Sequence, residues 1–401
     1  MMTYAEALER YGLPEKQLSG EAWDEAQSRY PAGGPAFLLD NALSEAMDYA
    51  NIMPEARTVI LDAAKAIRRD EGLSRLAWAC SERMFGMKTS HDWGLSFIMP
   101  KLGTLGELFP AIVLMSGMAK CREEHRKRGI PADVVRATLD DINLWLRHQK
   151  ATRGRYGLLH LSWLSFHAKG LLYRLGRLQF MRKGCYGDVR LYREKATGKL
   201  LMMRGPGTVL RSDGCVDGTN GIHDEEGRWT TVFEETKGEV RGTAIAERAR
   251  PIREPVTLKK AEWDLLIGPD DPIFDVHIPA EEPLTDTAAL DSFRRAPEFF
   301  GKHYPEHKGR GFQCDTWLFD PLWEDLLGSK SNVVKFLKMF YIYPSQGWEG
   351  TVFTRIYDDN KADPRKMPRD TGMRRAVAEF YDKGGRLTGN AGGLRPVSGL
   401  S

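Results

Sequence analysis

An aspartate and a histidine alternate near the end of the segment 272–279, which reads Pro-Ile-Phe-Asp-Val-His-Ile-Pro. Its β-branched and aromatic residues predict a short buried strand, and a proline at its end cannot donate to a sheet ladder. Asp275 and His277 share one face of such a strand, so we expect that face to line a cleft. A carboxylate orients a neighbouring imidazole and raises its basicity, which suits a general base. The alternative is a strand-end pair that the backbone satisfies.

A second set of polar residues falls in the segment 311–319, which contains Cys314-Asp-Thr-Trp317. Strand alternation directs Asp315 and Trp317 to the face opposite Cys314, so only one of these faces can line a cleft. Asp315 is the alternative general base. Cys314 can serve as a nucleophile with His277 in a covalent hydrolase, or it can be a buried small hydrophobe.

The sequence around these residues predicts an α/β layer, in which helices cover a sheet and ligands bind beyond the carboxyl ends of the strands. Those ends carry His277, the Cys314 segment and Tyr343, so polar groups converge where a site is expected. The last two predicted strands are expected to form an antiparallel hairpin. The predicted elements are strand 272–279, helix 288–303, strand 311–319, helical run 321–340 with a break near Gly328, strand 341–343 and strand 350–357.

Residues 1–175 predict an all-α domain. Amphipathic patterns recur there between short glycine, proline or polar links, as in the helix that begins at Pro54, and the last such run covers 158–180. His160 and His167 lie two helical turns apart on one face. This spacing is compatible with metal ligands, but the sequence offers no third ligand nearby, which favours core or capping histidines and no metal site.

Residues 176–385 carry short strand patterns separated by glycine turns, together with helices predicted over 259–266 and 373–383. The glycine-rich residues 386–401 are expected to form a flexible tail. The predicted fold class is therefore α+β, with an N-terminal all-α domain followed by a mixed-sheet α/β domain.

Composition narrows the function classes. The chain has 401 residues and a formal charge of +3, which gives no reason to expect nucleic acid or an anionic membrane as a partner. The first residues are polar and helix-forming, so no signal peptide is expected. The five cysteines are scattered without a CxxC pair, which fits a reducing cytosol and predicts a cytoplasmic protein.

The common catalytic signatures are absent from the sequence: it has no GxGxxG after a strand, no Walker loop, no HExxH and no GxSxG. Ser331 and Asn332 open a helical segment. Such residues usually cap the helix, and the same free amides also attract a phosphate or carbonyl oxygen.

The order of elements from 272 to 357 resembles the second half of a GNAT-type N-acyltransferase. More closely, four segments resemble a bacterial family of acyltransferases with a helical N-terminal domain and a GNAT-like C-terminal domain. They are Asp275-Val-His-Ile-Pro279, Ser292-Phe-Arg-Arg-Ala-Pro-Glu-Phe-Phe300, Cys314-Asp-Thr-Trp-Leu-Phe-Asp-Pro321 and Ser331-Asn332. The resemblance covers nearly the whole chain, and its specific motifs lie in 272–343.

The resemblance implies direct acyl transfer from acetyl-CoA or another acyl-CoA to a small-molecule or peptide amine, without a metal. His277, assisted by Asp275, would deprotonate the acceptor, and Asp315 is the alternative base. The acceptor would contact Cys314, Trp317 and Tyr343. Backbone amides at the edge of strand 272–279 would polarise the thioester carbonyl. The residues that would hold coenzyme A are Ile278, Pro279, Thr285, Ser331 and Asn332.

One segment departs from the family pattern. The pyrophosphate loop of GNAT proteins is glycine-rich, whereas the equivalent residues 280–286 contain no glycine and carry three carboxylates that repel a pyrophosphate. Two alternatives to the transferase therefore stay open. One is a GNAT-shaped binding or regulatory module without activity, and the other is the Cys314/His277 hydrolase. The sequence does not indicate an oligomeric state.

Overall fold

The computed structural model describes residues 2–14, 17–86, 95 and 99–397. The chain divides into two units, residues 1–175 and residues 176–401. The first unit is mainly helical, whereas the second contains sheets with helices packed on them. The predicted α+β fold class is confirmed. No helix in these described ranges is both long and apolar enough to cross a membrane.

The described part of the first unit consists of α-helices followed by one strand. These elements are α1 (Tyr4–Tyr11), α2 (Gly20–Ser28), α3 (Asp40–Tyr49), α4 (Pro54–Arg69), α5 (Glu71–Ser81), α6 (Thr104–Ser116), α7 (Met118–Arg128), α8 (Ala132–Leu139), α9 (Asp141–Arg153), α10 (Leu161–Ala168) and β1 (Leu172–Leu175). Shorter helical turns lie at Ala36–Leu38, Glu82–Gly86 and Pro100–Leu102.

Helix α4 illustrates how the sequence forms this unit. Pro54 occupies the first turn. Backbone amides in this turn make no hydrogen bond within the helix, so the absence of an amide hydrogen in proline costs nothing there. Arg68 and Arg69 lie in the last turn, where positive charge interacts favourably with the helix dipole. Residues at three- and four-residue spacings form the buried stripe, which consists of Ala56, Ile60, Ala63, Ala64 and Ile67.

The helix predicted over 158–180 is wrong beyond Ala168. Helix α10 ends there, and Gly170 adopts a left-handed φ of 63° before the chain continues as β1. The apolar residues that follow fit a helix or a buried strand equally well, because periodicity does not separate the two in short apolar runs.

Strands dominate the first half of the second unit, and strands alternate with helices in its second half. The strands are β2 (Leu178–Gly184), β3 (Val189–Glu194), β4 (Leu200–Arg204), β5 (Val209–Leu210), β6 (Trp229–Thr230), β7 (Phe233–Glu235), β8 (Glu239–Ala246), β9 (Arg250–Pro251), β10 (Val256–Lys259), β11 (Trp263–Ile267), β12 (Pro272–His277), β13 (Gly311–Thr316), β14 (Tyr341–Pro344) and β15 (Ala391–Pro396). The helices are α11 (Asp286–His303), α12 (Trp323–Leu327), α13 (Asn332–Leu337), α14 (Glu349–Tyr357) and α15 (Gly372–Asp382).

Five strands of the second unit form the sheet that carries the predicted site, in the order β2-β12-β13-β15-β14. The pair β12 and β13 is parallel, and the other neighbours are antiparallel. The ladder between β12 and β13 ends at Asp275 and Gln313, although β12 continues to His277 and β13 continues to Thr316. The two parallel strands therefore separate at their carboxyl ends.

One face of this sheet packs against α11. The ring of Phe274 stacks on Phe300 with centroids 5.0 Å apart, and the ring of Phe312 lies 4.8 Å from that of Phe293. All four side chains are buried. Because side chains alternate along a strand, the residues next to Phe274 and Phe312 point to the opposite face.

A second sheet follows the order β10-β8-β4-β3-β11, with β7 and β9 also paired to β8. The helix predicted over 259–266 is wrong, since β11 pairs with β3 in an antiparallel ladder. Local helix propensity stabilises a segment less than a ladder whose hydrogen bonds satisfy the backbone groups of both strands.

Two predicted elements are shorter than expected. Strand β13 ends at Thr316, whose hydroxyl accepts a hydrogen bond from the amide of Leu318 and starts the 3-10 turn Trp317–Phe319. The helical run predicted over 321–340 forms α12 and α13, and between them Gly328 adopts a φ of 72°.

The strand predicted over 350–357 is wrong, because these residues form helix α14. Val352, Phe353 and Tyr357 are buried together with Trp323 and Val377. The β-branched residues of this segment favour a strand locally, but burial on one helical face outweighs that preference. The predicted hairpin with residues 341–343 does not form, and β14 pairs with β15 instead.

The flexible tail predicted over 386–401 is wrong for residues 391–396, which form β15 between β13 and β14. The glycines that suggested a tail are required by packing. A Cβ at Gly392 would lie 2.1 Å from the Tyr343 ring, and a Cβ at Gly393 would lie 2.5 Å from the Phe319 ring. Residues 398–401 lie outside the described residues.

We expect Leu394→Ala to lower the free energy of unfolding by about 2–5 kcal/mol, as in other buried leucines. Leu394 is fully buried in a cluster with Ile273 and Tyr343. Leu290→Ala, at a leucine that is 43% exposed, is the control and should change the free energy by less than about 0.5 kcal/mol. Urea unfolding of both variants measures the difference, and equal values would show that β15 is not part of the stable fold.

Candidate functional site

The sheet face opposite α11 carries a group of polar side chains where β12 and β13 separate. Asp275 and His277 come from β12, Gln313 and Asp315 come from β13, and Tyr343 comes from β14. The register pairs Asp275 with Gln313, so the first residues of this group lie side by side. Strand alternation thus assembles the face that the sequence predicted as a cleft.

Asp275 is the centre of this group. Its carboxylate is 4% exposed and receives three side chains. The hydroxyl of Tyr186 donates to Oδ1 at 2.8 Å, the Nζ of Lys183 lies 3.2 Å from Oδ2, and the Nε2 of His277 lies 3.3 Å from Oδ2. A buried carboxylate needs such partners, because removing a charge from water costs a large free energy unless the protein supplies opposite charge and hydrogen bonds.

These contacts keep Asp275 ionised. Burial by itself favours the neutral acid, but the hydrogen bond and charge of His277, the charge of Lys183 and the hydroxyl of Tyr186 oppose it, and the pKa of Asp275 lies below its usual value. The imidazole is thus held by an anion while 27% of the His277 side chain stays exposed. The arrangement suits an oriented imidazole that accepts a proton.

Gln313 ties the strands to the loop after β2. Its Oε1 accepts from the amide of Tyr186 at 3.0 Å, and its Nε2 donates to the carbonyl of Tyr186 at 2.7 Å. The same Nε2 donates to the Tyr343 hydroxyl at 2.8 Å. Burial raises the pKa of both tyrosines, so both stay neutral hydrogen-bonding groups. Tyr343, predicted to contact the acceptor, is 1% exposed.

Asp315 lies on the same face, two residues beyond Gln313, the last residue of β13 that pairs with β12. It is exposed, and its Oδ1 accepts a hydrogen bond from Nδ2 of Asn390. Partial loss of hydration raises the pKa of the Asp315 carboxyl, and the negative charge of Asp275 raises it further. Its role as the alternative base stays a prediction.

Cys314 is 2% exposed and shares the α11 side of the sheet with Phe312, while His277 faces the other way. Burial raises the pKa of its thiol well above the usual value. A neutral thiol on the opposite face from the imidazole does not form a Cys–His pair, so the geometry disfavours the hydrolase.

Trp317 departs from the predicted strand. Because β13 ends at Thr316, the side chain of Trp317 no longer follows the alternation that would place it beside Asp315. Its ring instead lies edge-on to Trp323 with centroids 5.8 Å apart, and its carbonyl accepts from Nε1 of Trp323 at 2.8 Å. Trp317 stays partly exposed, and its predicted contact with an acceptor stays a prediction.

The residues predicted to hold coenzyme A lie at the end of β12 and at two helix starts. Ile278 and Pro279 directly follow β12, and Pro279 is buried. Thr285 caps α11 by accepting from the amide of Ala288 at 3.3 Å. Its role in cofactor binding stays a prediction.

Ser331 and Asn332 are both at least partly accessible and begin α13, a helix of only six residues in which Ser331 forms no side-chain cap. Lys335 of this helix lies 3.4 Å from the carboxylate of Asp286, the first residue of α11. The two helix starts named for the cofactor are therefore joined by an ion pair at the surface.

Sequence reasoning missed several residues that the fold brings to this group. Lys183 and Tyr186 contact Asp275 from the end of β2 and the loop after it, Gln313 joins two strands, and Asn390 contacts Asp315. The available signal was weak. The segment Cys185-Tyr-Gly187 is a glycine turn next to a strand. Gly187 adopts a φ of 77°, and a Cβ at this position would lie 3.1 Å from the Tyr343 hydroxyl.

The helical unit has its own buried histidines. His167, considered with His160 as a metal ligand, is fully buried, and its Nε2 lies 3.4 Å from Oδ2 of Asp141. The His160 ring lies against the ring of Trp145, with centroids 3.7 Å apart and the ring planes tilted by 43°. No group of three or more metal-ligating side chains is found among the residues that the structure describes.

Comparisons with protein families account for both units. Residues 41–170 match an N-acyltransferase N-terminal domain, and residues 172–394 match a GNAT-like C-terminal domain. The chain belongs to this family. Its members combine a helical N-terminal domain with a GNAT-like C-terminal domain, so the protein is an acyltransferase. No curated protein matches the sequence.

Solved acyltransferase structures share the fold over the whole chain. One, in complex with decanoyl-CoA and teicoplanin, is 19% identical with a TM-score of 0.66, and the match covers 99% of this chain and 100% of the other. A second, an acyltransferase mutant in complex with octanoyl-CoA, is 18% identical with a TM-score of 0.66, covering 98% of this chain and 99% of the other. At this identity the similarity establishes the fold.

The charge of Asp275 makes a pH-dependent contribution to stability. Its folded-state pKa is lowered, so the contribution is present above the unfolded pKa of about 3.9 and is lost as the pH falls through the folded pKa. The difference in free energy of unfolding between the wild type and Asp275→Asn should be constant from about pH 5 to 7 and shrink below about pH 4.

Urea unfolding across this pH range measures the effect. Asp264→Asn, at an exposed aspartate of β11, controls for the general effect of removing one carboxylate. A difference for Asp275→Asn that grows on acidification would contradict the assignment of a stabilising charge.

Proposed function

We propose that the protein transfers an acyl group from an acyl-CoA to an amine of a small molecule or peptide, by direct transfer with a general base. The observation that carries this proposal is the separation of β12 and β13 beyond Asp275 and Gln313, with His277 and Asp315 beside the gap. Family membership supports the transferase chemistry, and the separated strands support the donor.

The gap between the strands suits the extended arm of an acyl-CoA. Beyond the ladder, the facing backbone groups of β12 and β13 are not paired with one another. An extended chain of amides can hydrogen-bond to such strand edges, as peptides do when they add to a sheet. The amides of Val276 to Ile278 are then near the thioester carbonyl, whose developing negative charge they would stabilise.

The phosphate end of the donor has less support. The amide of Ala288 is bonded to the Thr285 side chain, and the amide of Thr287 is bonded to the carboxylate of Asp286. Glu281 and Glu282 add negative charge nearby, while Lys335 and Lys330 flank the start of α13. We therefore assign the phosphates to the α13 side, near Ser331 and Asn332, rather than to the start of α11.

In this proposal His277 is the general base and Asp275 is its positioning residue. Since Nε2 lies against Asp275, we assign Nδ1 as the atom that takes the proton from the amine. The amine nitrogen forms the new C–N bond with the acyl carbon, the C–S bond breaks, and the thiolate of coenzyme A leaves and is protonated. Asp315, with its raised pKa, is the alternative acceptor of the amine proton.

The acyl chain and the acceptor are open within this proposal. The family resemblance implied acetyl-CoA or another acyl-CoA, and the structurally similar acyltransferases are complexes with octanoyl-CoA and decanoyl-CoA. Teicoplanin, bound in one of them, supports a small-molecule acceptor. The donor experiment below therefore compares short and medium acyl chains.

We expect acyl-CoA to raise the melting temperature of the protein and to bind saturably in calorimetric titrations. A ligand that binds only the native state at 100 times its dissociation constant adds about 2.7 kcal/mol to the free energy of unfolding. Acetyl-CoA, octanoyl-CoA and decanoyl-CoA test chain length, and coenzyme A and ATP are controls. If none of the three acyl-CoAs binds at millimolar concentration, the chain is a binding or regulatory module with the fold alone.

We expect His277→Gln to lower kcat/KM for acyl transfer by about 10²–10⁴-fold, the usual effect of losing a general base. The glutamine amide can still donate a hydrogen bond to Asp275, so the melting temperature should fall only slightly, and the acyl-CoA affinity should stay near that of the wild type. Release of the coenzyme A thiol measures turnover, and His148→Gln, at an exposed histidine of α9, is the control. Asp315→Asn is assayed in parallel, and a large loss there with a small loss for His277→Gln would assign the base to Asp315.

A further inference from the structure

A cavity of about 460 Å³ lies in the second unit, beside the separated strands. Its volume is in the range of about 300–1,000 Å³ that is typical of small-molecule sites. The ends of β14 and β15 contribute Ser345, Asn390 and Ala391 to its wall. The loop between β5 and β6, the turn before β9 and the start of α12 complete it.

Arginines outnumber carboxylates in the lining of this cavity. Four arginines and two aspartates line it, namely Arg211, Arg248, Arg250, Arg386, Asp213 and Asp325. Arg211 and Arg386 are close enough that the charge of Arg211 opposes the rise in the pKa of Arg386, which is caused mainly by its hydrogen bond to Glu349. Like charges held near each other attract an anion between them.

Three of the arginines are hydrogen-bonded to carboxylates. Arg211 is hydrogen-bonded to Asp213 through two nitrogens, and Arg386 donates to Oε1 of Glu349 at 2.9 and 2.6 Å. Arg248 is hydrogen-bonded to Asp325. Guanidinium groups fixed in this way lose little side-chain entropy when they bind a further oxyanion.

Arg250 differs from the other three. Its side chain is exposed, and no described residue forms a side-chain hydrogen bond or ion pair with it. It belongs to the short strand β9, which pairs with β8, so its backbone is fixed, and the residue lines the cavity. A cation in this setting suits direct contact with an anionic ligand.

The backbone of the cavity wall is strained. Asn220, Arg248 and Ala249 line the cavity with φ values of 58°, 60° and 56°. Non-glycine residues seldom adopt this region, and they cluster at binding sites when the surrounding contacts hold them. Here Asn220 is fixed on both sides, since its Nδ2 donates to the carbonyl of Leu387 and its Oδ1 accepts from the amide of Glu349, each at 2.7 Å.

Asn390 links the cavity to the candidate active site. It lines the cavity and donates to the carboxylate of Asp315, which lies on β13 beyond the residues that pair with β12. Ser345, another lining residue, neighbours the same carboxylate. One side of the cavity thus adjoins an anion that attracts an ammonium group, and the other side carries arginines that attract an acid.

We propose that this cavity binds the acyl acceptor, and that the acceptor is an amine whose molecule also carries an oxyanion group such as a carboxylate or phosphate. The arginines bind the oxyanion and thereby direct the amine to the side of Asp315 and the separated strands. That the bound amine becomes acylated rests on the proposed function. Binding of the acceptor in the cavity is testable without turnover.

The experiment compares amines that differ in the acid group. The probes are lysine with its decarboxylated counterpart cadaverine, and phosphoethanolamine with ethanolamine, titrated calorimetrically at constant ionic strength. We expect at least one of the two acidic amines to bind saturably and its counterpart to bind at least about ten-fold more weakly. Which acidic amine binds distinguishes a carboxylate from a phosphate.

The variants are Arg250→Gln and the matched control Arg253→Gln, an exposed arginine that is three residues away and does not line the cavity. Both remove one positive charge. We expect Arg250→Gln to lower the affinity for the acidic amine by about 10- to 100-fold. Arg253→Gln should leave this affinity unchanged. Equal binding of each matched pair, equal effects of the two variants, or no binding by any probe would overturn the proposal.

Acyl-CoA titrations of the same variants separate this inference from the proposed function. If Arg250→Gln weakens the binding of acyl-CoA and leaves the binding of the amines unchanged, the cavity belongs to the donor and the acceptor assignment is overturned. If the wild type binds an acidic amine through Arg250 but binds no acyl-CoA, the cavity inference stands and the proposed donor fails.

Discussion

The buried carboxylate of Asp275 is the constraint on which the candidate site depends. A charge with 4% exposure is stable only if its neighbours supply opposite charge and hydrogen bonds. His277, Lys183 and Tyr186 meet this requirement from β12, from β2 and from the loop after β2. The same contacts that keep the carboxylate ionised fix the orientation of the imidazole, so stability and chemistry share one set of interactions.

The separation of β12 and β13 is possible because other contacts hold the strands. Aromatic packing on α11 fixes one face of the sheet, and Gln313 ties the other face to the Tyr186 backbone and to Tyr343. Strand β15 then supports β13 from its outer side. Because β12 pairs with β2 and β13 pairs with β15 on their outer edges, the facing edges of β12 and β13 can diverge while the sheet stays intact.

Much of the fold could be predicted where local pattern and tertiary environment agree. Helices α4 and α11 each bury a face with the expected period, and the apolar run of β12 forms the expected buried strand. Prediction was wrong where long-range contacts decided the outcome. Residues 350–357 favour a strand locally but bury a helical face, and Gly392 and Gly393 suggested a tail although the Tyr343 and Phe319 rings require glycine there.

The sequence by itself determined which residues alternate on one strand, and so it predicted that Asp275 and His277 share a face and that Cys314 and Asp315 do not. Only the tertiary structure decided what these residues meet. Lys183 lies 92 positions from Asp275, and Asn390 lies 75 positions from Asp315. The cavity arginines likewise come from separate loops. Local periodicity carries no information about such pairs, because the folding of the whole unit brings them together.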